Sequence, residues 1–311
     1  MTLIVHIGSP KTATSTLQNA FFPAHPGLFF LGKNVDRARA YEGWRTPPIG
    51  ALMKQIEAGG LDFAPDPQVT RILVESVARE SGGRPVVLSD EGLSVFTGVD
   101  GMAKLRRVMD IFAPLAPFRV IFCVRDQLSL IKSNYLTEHR GEMTGIPGTR
   151  QNWYPDFDHY LDIHFRYVCG AFLDSFRYAA MIDRYAALVG EGNILVYAFE
   201  DFRADPITVL QRLCRFIGID ERDPCLARTT NVRENEHQME RLYTANRLRA
   251  RLTGGRGLGP LLPPPLKAVF RNWLVGGKKF DVTPSPEAAR RIKDYYRADN
   301  ESLLAKHGIR L

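Results

Sequence analysis

The sequence predicts an α/β protein, with a central parallel sheet flanked by helices. Three observations predict it. Short apolar runs at 2–7, 85–89, 118–124 and 193–197 have the length of strands. Segments of helical period separate them, bounded by Asp, Pro and Gly at the positions that start and stop helices. Strands that alternate with helices pair in parallel and need cover on both faces. The 311 residues, 45% hydrophobic and 24% charged, can bury a large core, so one domain suffices for the whole chain.

Each element has its own warrant. Thr2 to Ile7 alternates into a short apolar strand, and Ser15 to Phe22 then starts a helix. Gln68 to Ser81 (QVTRILVESVARES) carries apolar residues at helical spacing, and Gly82-Gly83 stops it. Pro85 to Ser89 is a short buried strand, residues 99–112 an amphipathic helix, Phe118 to Val124 (FRVIFCV) a strong strand and Gln127 to His139 a helix. Asn193 to Tyr197 is the next strand. Asp205-Pro206 opens a helix with an N-cap followed by proline at the first position; Leu210, Leu213, Phe216 and Ile217 face inward, and Gly218 ends it. Pro286 to His307 is a long charged helix ending before Gly308. The composition breaks once, over Leu252 to Thr283, where Gly and Pro crowd into a cap or lid.

A net charge of +7 favours anionic partners. The four cysteines (Cys123, Cys169, Cys214, Cys225) form no CxxC pair and no His/Cys cluster at metal spacing, which reads as reduced core thiols. No run approaches eighteen apolar residues, and MTLIVHIG lacks the basic lead of a signal peptide. A cytoplasmic location is expected.

The joint HIGSPKTATSTLQ carries the first chemical signal. A loop between a strand and a helix N-terminus offers unpaired backbone N–H groups and the positive end of the helix dipole, so it attracts phosphate. Lys11 adds a mobile charge, and Thr12, Thr14, Ser15 and Thr16 add donors. The loop is not a Walker A loop, because no Gly-Lys pair exists; nor does GxGxxG occur. A second anchor is Arg125, at the end of the FRVIFCV strand, with Ser133 eight residues on, about two turns into the next helix. Such a pair can converge on one anion, the arginine by a charge-assisted fork.

The run Pro10-Lys11-Thr12-Ala13-Thr14-Ser15-Thr16, between a strand and a helix, resembles the 5′-phosphosulfate loop of the sulfotransferase family that uses 3′-phosphoadenosine-5′-phosphosulfate (PAPS). Ala13 departs from that family's usual glycine, which bears on the loop's geometry because alanine resists positive φ. In that family an arginine and a serine at the spacing of Arg125 and Ser133 grip the cofactor's 3′-phosphate. The order from Tyr197-Ala-Phe-Glu-Asp201 through the Asp205-Pro206 helix, and the closing DYYRADNESLLAKHGI, also resemble it. The resemblance implies a P-loop-like three-layer sandwich, PAPS as co-substrate, adenosine 3′,5′-bisphosphate as product and no metal.

Within that resemblance, Lys11 is expected to stabilise the departing phosphate. The strand end PVVLSDEGLS offers Asp90 and Glu91 as base, since strand C-termini of open parallel sheets point into the ligand crevice. Heparan-type carbohydrate sulfotransferases place a glutamate at the end of the second strand, which favours Glu91, with Asp90 in reserve and His139 as a third candidate. His6 is expected as a hydrogen-bonded core residue. Trp44 and Trp273 are both candidates for the adenine wall, and Arg256-Gly257 or Gly276 to Lys279 for a second grip on the 3′-phosphate. The acceptor is expected to be a carbohydrate or lipid-like hydroxyl, or secondarily an amine; nucleic acid is not expected as a partner. The stretch 261–279 mixes Leu, Phe and Trp with Lys and Arg, as membrane-surface segments do. Two other classes compete: a P-loop-type kinase using ATP and magnesium, disfavoured by the missing GK[ST], and a non-catalytic protein that binds an anionic surface or glycan.

Overall fold

A computed structural model describes residues 1–9, 11–34, 43–58, 60, 63–94, 100–138, 157–167, 171–221, 265, 269 and 282–311. They fall into two compact units: residues 1–126, 175–231 and 298–311 in the first, 127–174 and 232–297 in the second.

The first unit contains the sheet. Its strands are β1 (Leu3–Gly8), β2 (Phe29–Asn34), β3 (Gly43–Trp44), β4 (Val86–Ser89), β5 (Phe118–Val124) and β6 (Ile194–Ala198), in the order β3-β2-β4-β1-β5-β6. Every pairing is parallel except that of β2 with the two-residue edge strand β3. β1 lies in the middle, so chain order reverses around it: β2 and β4 on one side, β5 and β6 on the other. Ligand crevices open at the carboxyl ends of strands at such a reversal.

Helices cover both faces. On one, Ile4, Val87, Ile121, Cys123 and Tyr197 pack against Phe21 and Phe22 and against Val209, Leu210, Leu213 and Ile217 of a helix over Pro206–Ile217. On the other, Phe122 meets Tyr178 and Tyr185, whose ring centroids lie 6.2 and 5.8 Å away, on a helix over Tyr178–Val189. The helices expected from Gln68 and from Pro206 run over Pro67–Ser81 and Pro206–Ile217, capped by Asp66 and Asp205, and Gly82 and Gly218 take the left-handed conformation (φ 59 and 85) that ends each of them. The long terminal helix runs over Pro286–His307.

β2 and β3 are additions to the expected strands. The run FFLGKN is interrupted by Gly32 and Lys33 and lacks the apolar continuity of the other strands. The strand before Asp90, counted second by the resemblance, is therefore the fourth in the chain, although β4 is a direct neighbour of β1 in the sheet.

In the second unit, helices over Gln127–Glu138 and Phe157–Tyr167 share an aromatic contact of Tyr135 with Phe157 and Tyr160, at 5.5 and 5.2 Å between centroids. Tyr296 donates to the Leu173 carbonyl at 2.9 Å, and Arg291 pairs with Asp162 at 2.5 Å. His139, Trp273, Arg256, Gly257 and 276–279 lie outside the described residues, as do nearly all of the expected cap (252–283) and of 261–279. Among the described residues no helix is long and apolar enough to cross a membrane.

Candidate active site

After Gly8 the chain folds back sharply over the end of β1. A Cβ on Gly8 would lie 2.1 Å from Thr14 Cγ2, so only glycine admits the return. The turn is made by two non-glycine residues with positive φ, Lys11 (68°) and Ala13 (60°). The left-handed region costs an L-residue roughly 1–2 kcal/mol, so the loop persists only because its surroundings fix it. Thr12 donates to the Ser9 carbonyl at 2.6 Å, the Cys123 thiol lies 3.7 Å from the Thr12 carbonyl, and Arg125 donates to the Lys11 carbonyl at 2.5 Å. Alanine in place of the family's glycine thus leaves the backbone left-handed and adds strain. Pro10 lies outside the described residues.

A three-residue α-turn, Thr14–Thr16, follows and widens into a π-helical turn over Leu17–Phe21. Of the four hydroxyls, that of Thr12 turns inward to the loop itself and that of Thr14 donates to Glu91 Oε1 at 2.6 Å. Thr16 is buried and Ser15 exposed, as is Lys11.

The two carboxylates after β4 occupy different surroundings. Asp90 is fully buried; its Oδ1 pairs with Lys33 and accepts the Gly92 N–H at 3.0 Å. Glu91 has a side chain 22% exposed, held between Thr14 on one oxygen and Lys33, 3.6 Å away, on the other. Burial alone would raise the Glu91 pKa, but Lys33 and the Thr14 hydrogen bond outweigh it and hold the carboxyl below its usual range.

Behind Asp90 stands Glu57. Burial, then a hydrogen bond and charge repulsion from Asp90, push its pKa up to about 8, so it keeps a proton at neutral pH. Among the described residues Asp90 Oδ2 meets no fixed donor, and a proton shared with Glu57 supplies one. A Cβ on Gly92 would lie 2.4 Å from Glu57 Oε1, so any larger residue there would displace the Glu57 carboxyl. Lys104, fully buried, donates to the Gly92 carbonyl at 2.7 Å. Burial pushes its pKa down, against the pull of Glu57 and Asp90.

His6 is buried, with Nδ1 2.7 Å from Ser89 Oγ, and burial holds its pKa at about 4. It is a neutral core residue. Arg125 lies over the Phe199 ring at 4.6 Å, and its Nε is buried with no hydrogen-bond partner among the described residues. Ser133 lies on the Gln127–Glu138 helix of the second unit. Trp44, on β3, has Lys33 Nζ 5.7 Å from its ring centroid. Sequence reasoning missed Lys33, Glu57 and Lys104, for which no local pattern exists.

Residues 114–254 match the family model of the sulfotransferase domain. No curated protein matches the chain by sequence. Among solved structures, the sulfotransferase from Alicyclobacillus acidocaldarius is similar over 99% of this chain and 96% of its own, at 14% identity and a TM-score of 0.56. The sulfotransferase domain of the Synechococcus PCC 7002 olefin synthase is 15% identical (TM-score 0.45; 96% and 94% covered). A mouse sulfotransferase complexed with PAP is 13% identical (TM-score 0.44; 98% and 85% covered). The fold is the P-loop-like fold of sulfotransferases. The domain match covers less than half of the chain, and the structural likeness shows the fold.

Two predictions follow from the strain and the buried acids. Ala13→Gly removes one left-handed alanine and is expected to stabilise the protein by up to about 1 kcal/mol, seen as a Tm higher by roughly 2–4 °C; a lower Tm contradicts the strain. Glu57 retains its proton in the folded chain up to about pH 8 but ionises near 4.5 when unfolded, so folded protein binds more protons between those values and loses stability as pH rises through them. In Glu57→Gln that loss is expected to shrink, narrowing the Tm difference between pH 5.5 and 8.5; equal differences in both proteins contradict it.

Proposed function

We propose that the protein transfers a sulfuryl group from PAPS to a hydroxyl of a carbohydrate or lipid-like acceptor, with an amine as the secondary acceptor class. One observation carries the proposal. A strained, clamped loop presenting Lys11 lies in hydrogen-bond contact, through Thr14, with an ionised glutamate at the carboxyl end of the neighbouring strand.

The residues fit such a donor. Thr14 and Ser15 supply first-turn N–H groups, which lack intrahelical acceptors, whereas that of Thr16 already donates to the Ala13 carbonyl at 2.9 Å; Lys11 and Ser15 are exposed. Arg125 carries a buried Nε–H, unpartnered among the described residues and suited to a further anionic oxygen; with Ser133, it is assigned the 3′-phosphate by the resemblance. PAPS supplies the sulfuryl group and leaves as adenosine 3′,5′-bisphosphate. Glu91 accepts the acceptor's hydroxyl proton as the new O–S bond forms and the bond from sulfur to the 5′-phosphate oxygen breaks. Lys11 neutralises the charge that develops on that departing oxygen, the kind of interaction that is stronger in the transition state than in the ground state. Asp90, fully buried and engaged by Lys33 and Gly92, supports Glu91 in this scheme. The same engagement weighs against the kinase alternative, whose magnesium requires a carboxylate free to bind it.

In a thermal-shift comparison, adenosine 3′,5′-bisphosphate is expected to raise the Tm more than ATP, ADP or NAD; preferential stabilisation by ATP with magnesium would favour the kinase. Lys11→Ala is expected to lower turnover of PAPS with octyl glucoside as hydroxyl probe by roughly 10²–10³-fold, the scale for loss of one transition-state donor. Turnover near that of the wild type removes Lys11 from the mechanism. Arg125→Ala is expected to erase the preference for adenosine 3′,5′-bisphosphate over AMP in calorimetric binding, and unchanged discrimination contradicts its assignment.

A further inference from the structure

β2 brings one cation to the carboxyl end of the sheet. Its residue Gly32 pairs in register with Ser89 of β4, so Lys33 stands beside the turn that carries Asp90 and Glu91. The Lys33 ammonium is anchored on Asp90, which is fully buried and itself fixed by the Gly92 N–H. From that anchor Nζ lies 3.6 Å from Glu91 Oε2, while Thr14 donates to Oε1 at 2.6 Å. A lysine on a free four-carbon stem is a poor clamp, but one tied to a buried carboxylate is not free. Glu91 is thus held from two sides, by β2 and by the loop that follows β1.

We propose that Lys33 is a positioning residue for Glu91: anchored on Asp90, it holds the Glu91 carboxylate ionised and fixed beside Thr14 of the phosphate-side loop. The proposal rests on Glu91 as the acceptor base. The other titratable groups around Glu91 do not supply the same effect. His6 on β1 is neutral, Glu57 on the Pro47–Ala58 helix carries a proton, Asp90 is negative, and Lys104 on the Gly101–Ile111 helix is engaged at the Gly92 carbonyl. A carboxylate buried to this degree without a nearby cation takes up a proton more readily, and a protonated Glu91 accepts nothing from the acceptor.

Lys33→Met would leave Asp90 buried without its cation and endanger folding. The test therefore pairs Lys33→Gln with Asp90→Asn, which removes both charges and keeps a hydrogen bond. The Glu91 carboxyl is titrated directly by difference infrared spectroscopy against Glu91→Gln in the same background. Its midpoint is expected to lie higher in the double variant than in Asp90→Asn alone, the comparison that cancels the loss of the Asp90 charge. The acid limb of the PAPS and octyl glucoside pH–rate profile should move with it, with turnover at pH 6 falling about tenfold or more and recovering as pH increases. Lys33→Arg is expected to keep the wild-type midpoint, and the affinity for adenosine 3′,5′-bisphosphate is expected to stay unchanged in all of these variants. A Glu91 midpoint no higher in the double variant than in Asp90→Asn overturns the proposal whatever the activity. Full turnover by Glu91→Gln overturns instead the base assignment on which the proposal rests, and the infrared midpoint tells the two failures apart.

Discussion

The left-handed backbone of Lys11 and Ala13 at the end of β1 is the constraint from which the site follows. Neither residue prefers that conformation, so the sheet has to impose it. The imposition comes from three places: Ser9 within the loop, Cys123 on β5, and Arg125 just beyond β5. Because Arg125 binds the Lys11 carbonyl, the arginine assigned to one end of the nucleotide also shapes the loop assigned to the other. A change at Arg125 therefore alters Lys11 without touching its side chain.

Consecutive carboxylates after β4 show how local surroundings divide labour. Asp90 points into the protein, where a lysine, a backbone N–H and a protonated glutamate absorb its charge. Glu91 remains partly exposed and meets the loop. Two adjacent residues of similar chemistry are thereby separated into an anchor and a candidate base. The cluster places three carboxyls near two lysines, and Glu57 relieves the excess negative charge by keeping its proton. Glycine at 92 is what lets Glu57 come so close.

Much of this was legible in the sequence where information is local. FRVIFCV, Asp205-Pro206 with Gly218, and the terminal helix formed with the expected limits because caps, proline and period-two or period-3.6 patterns act within a few residues. The joint between β1 and the following helical turn was legible for the same reason. β2 was not, since Gly32 and Lys33 spoil its apolar run and its stability comes from pairing with β4. Lys33, Glu57 and Lys104 were also out of reach: Lys33 meets Asp90 across 57 positions of sequence, and no short motif encodes such a contact. The hydroxyls of the loop were legible as residues but not as roles, because Thr12 and Thr14 turn inward to the Ser9 carbonyl and Glu91.

The central claim is that the clamped turn at 11–16 receives the phosphate end of the nucleotide. Hydrogen–deuterium exchange of the backbone amides, with and without adenosine 3′,5′-bisphosphate, tests it most directly. Exchange at residues 11–17 is expected to slow on binding, together with that of the segment around Arg125. Tight binding that leaves the amides of 11–17 exchanging at their free rate would contradict the account.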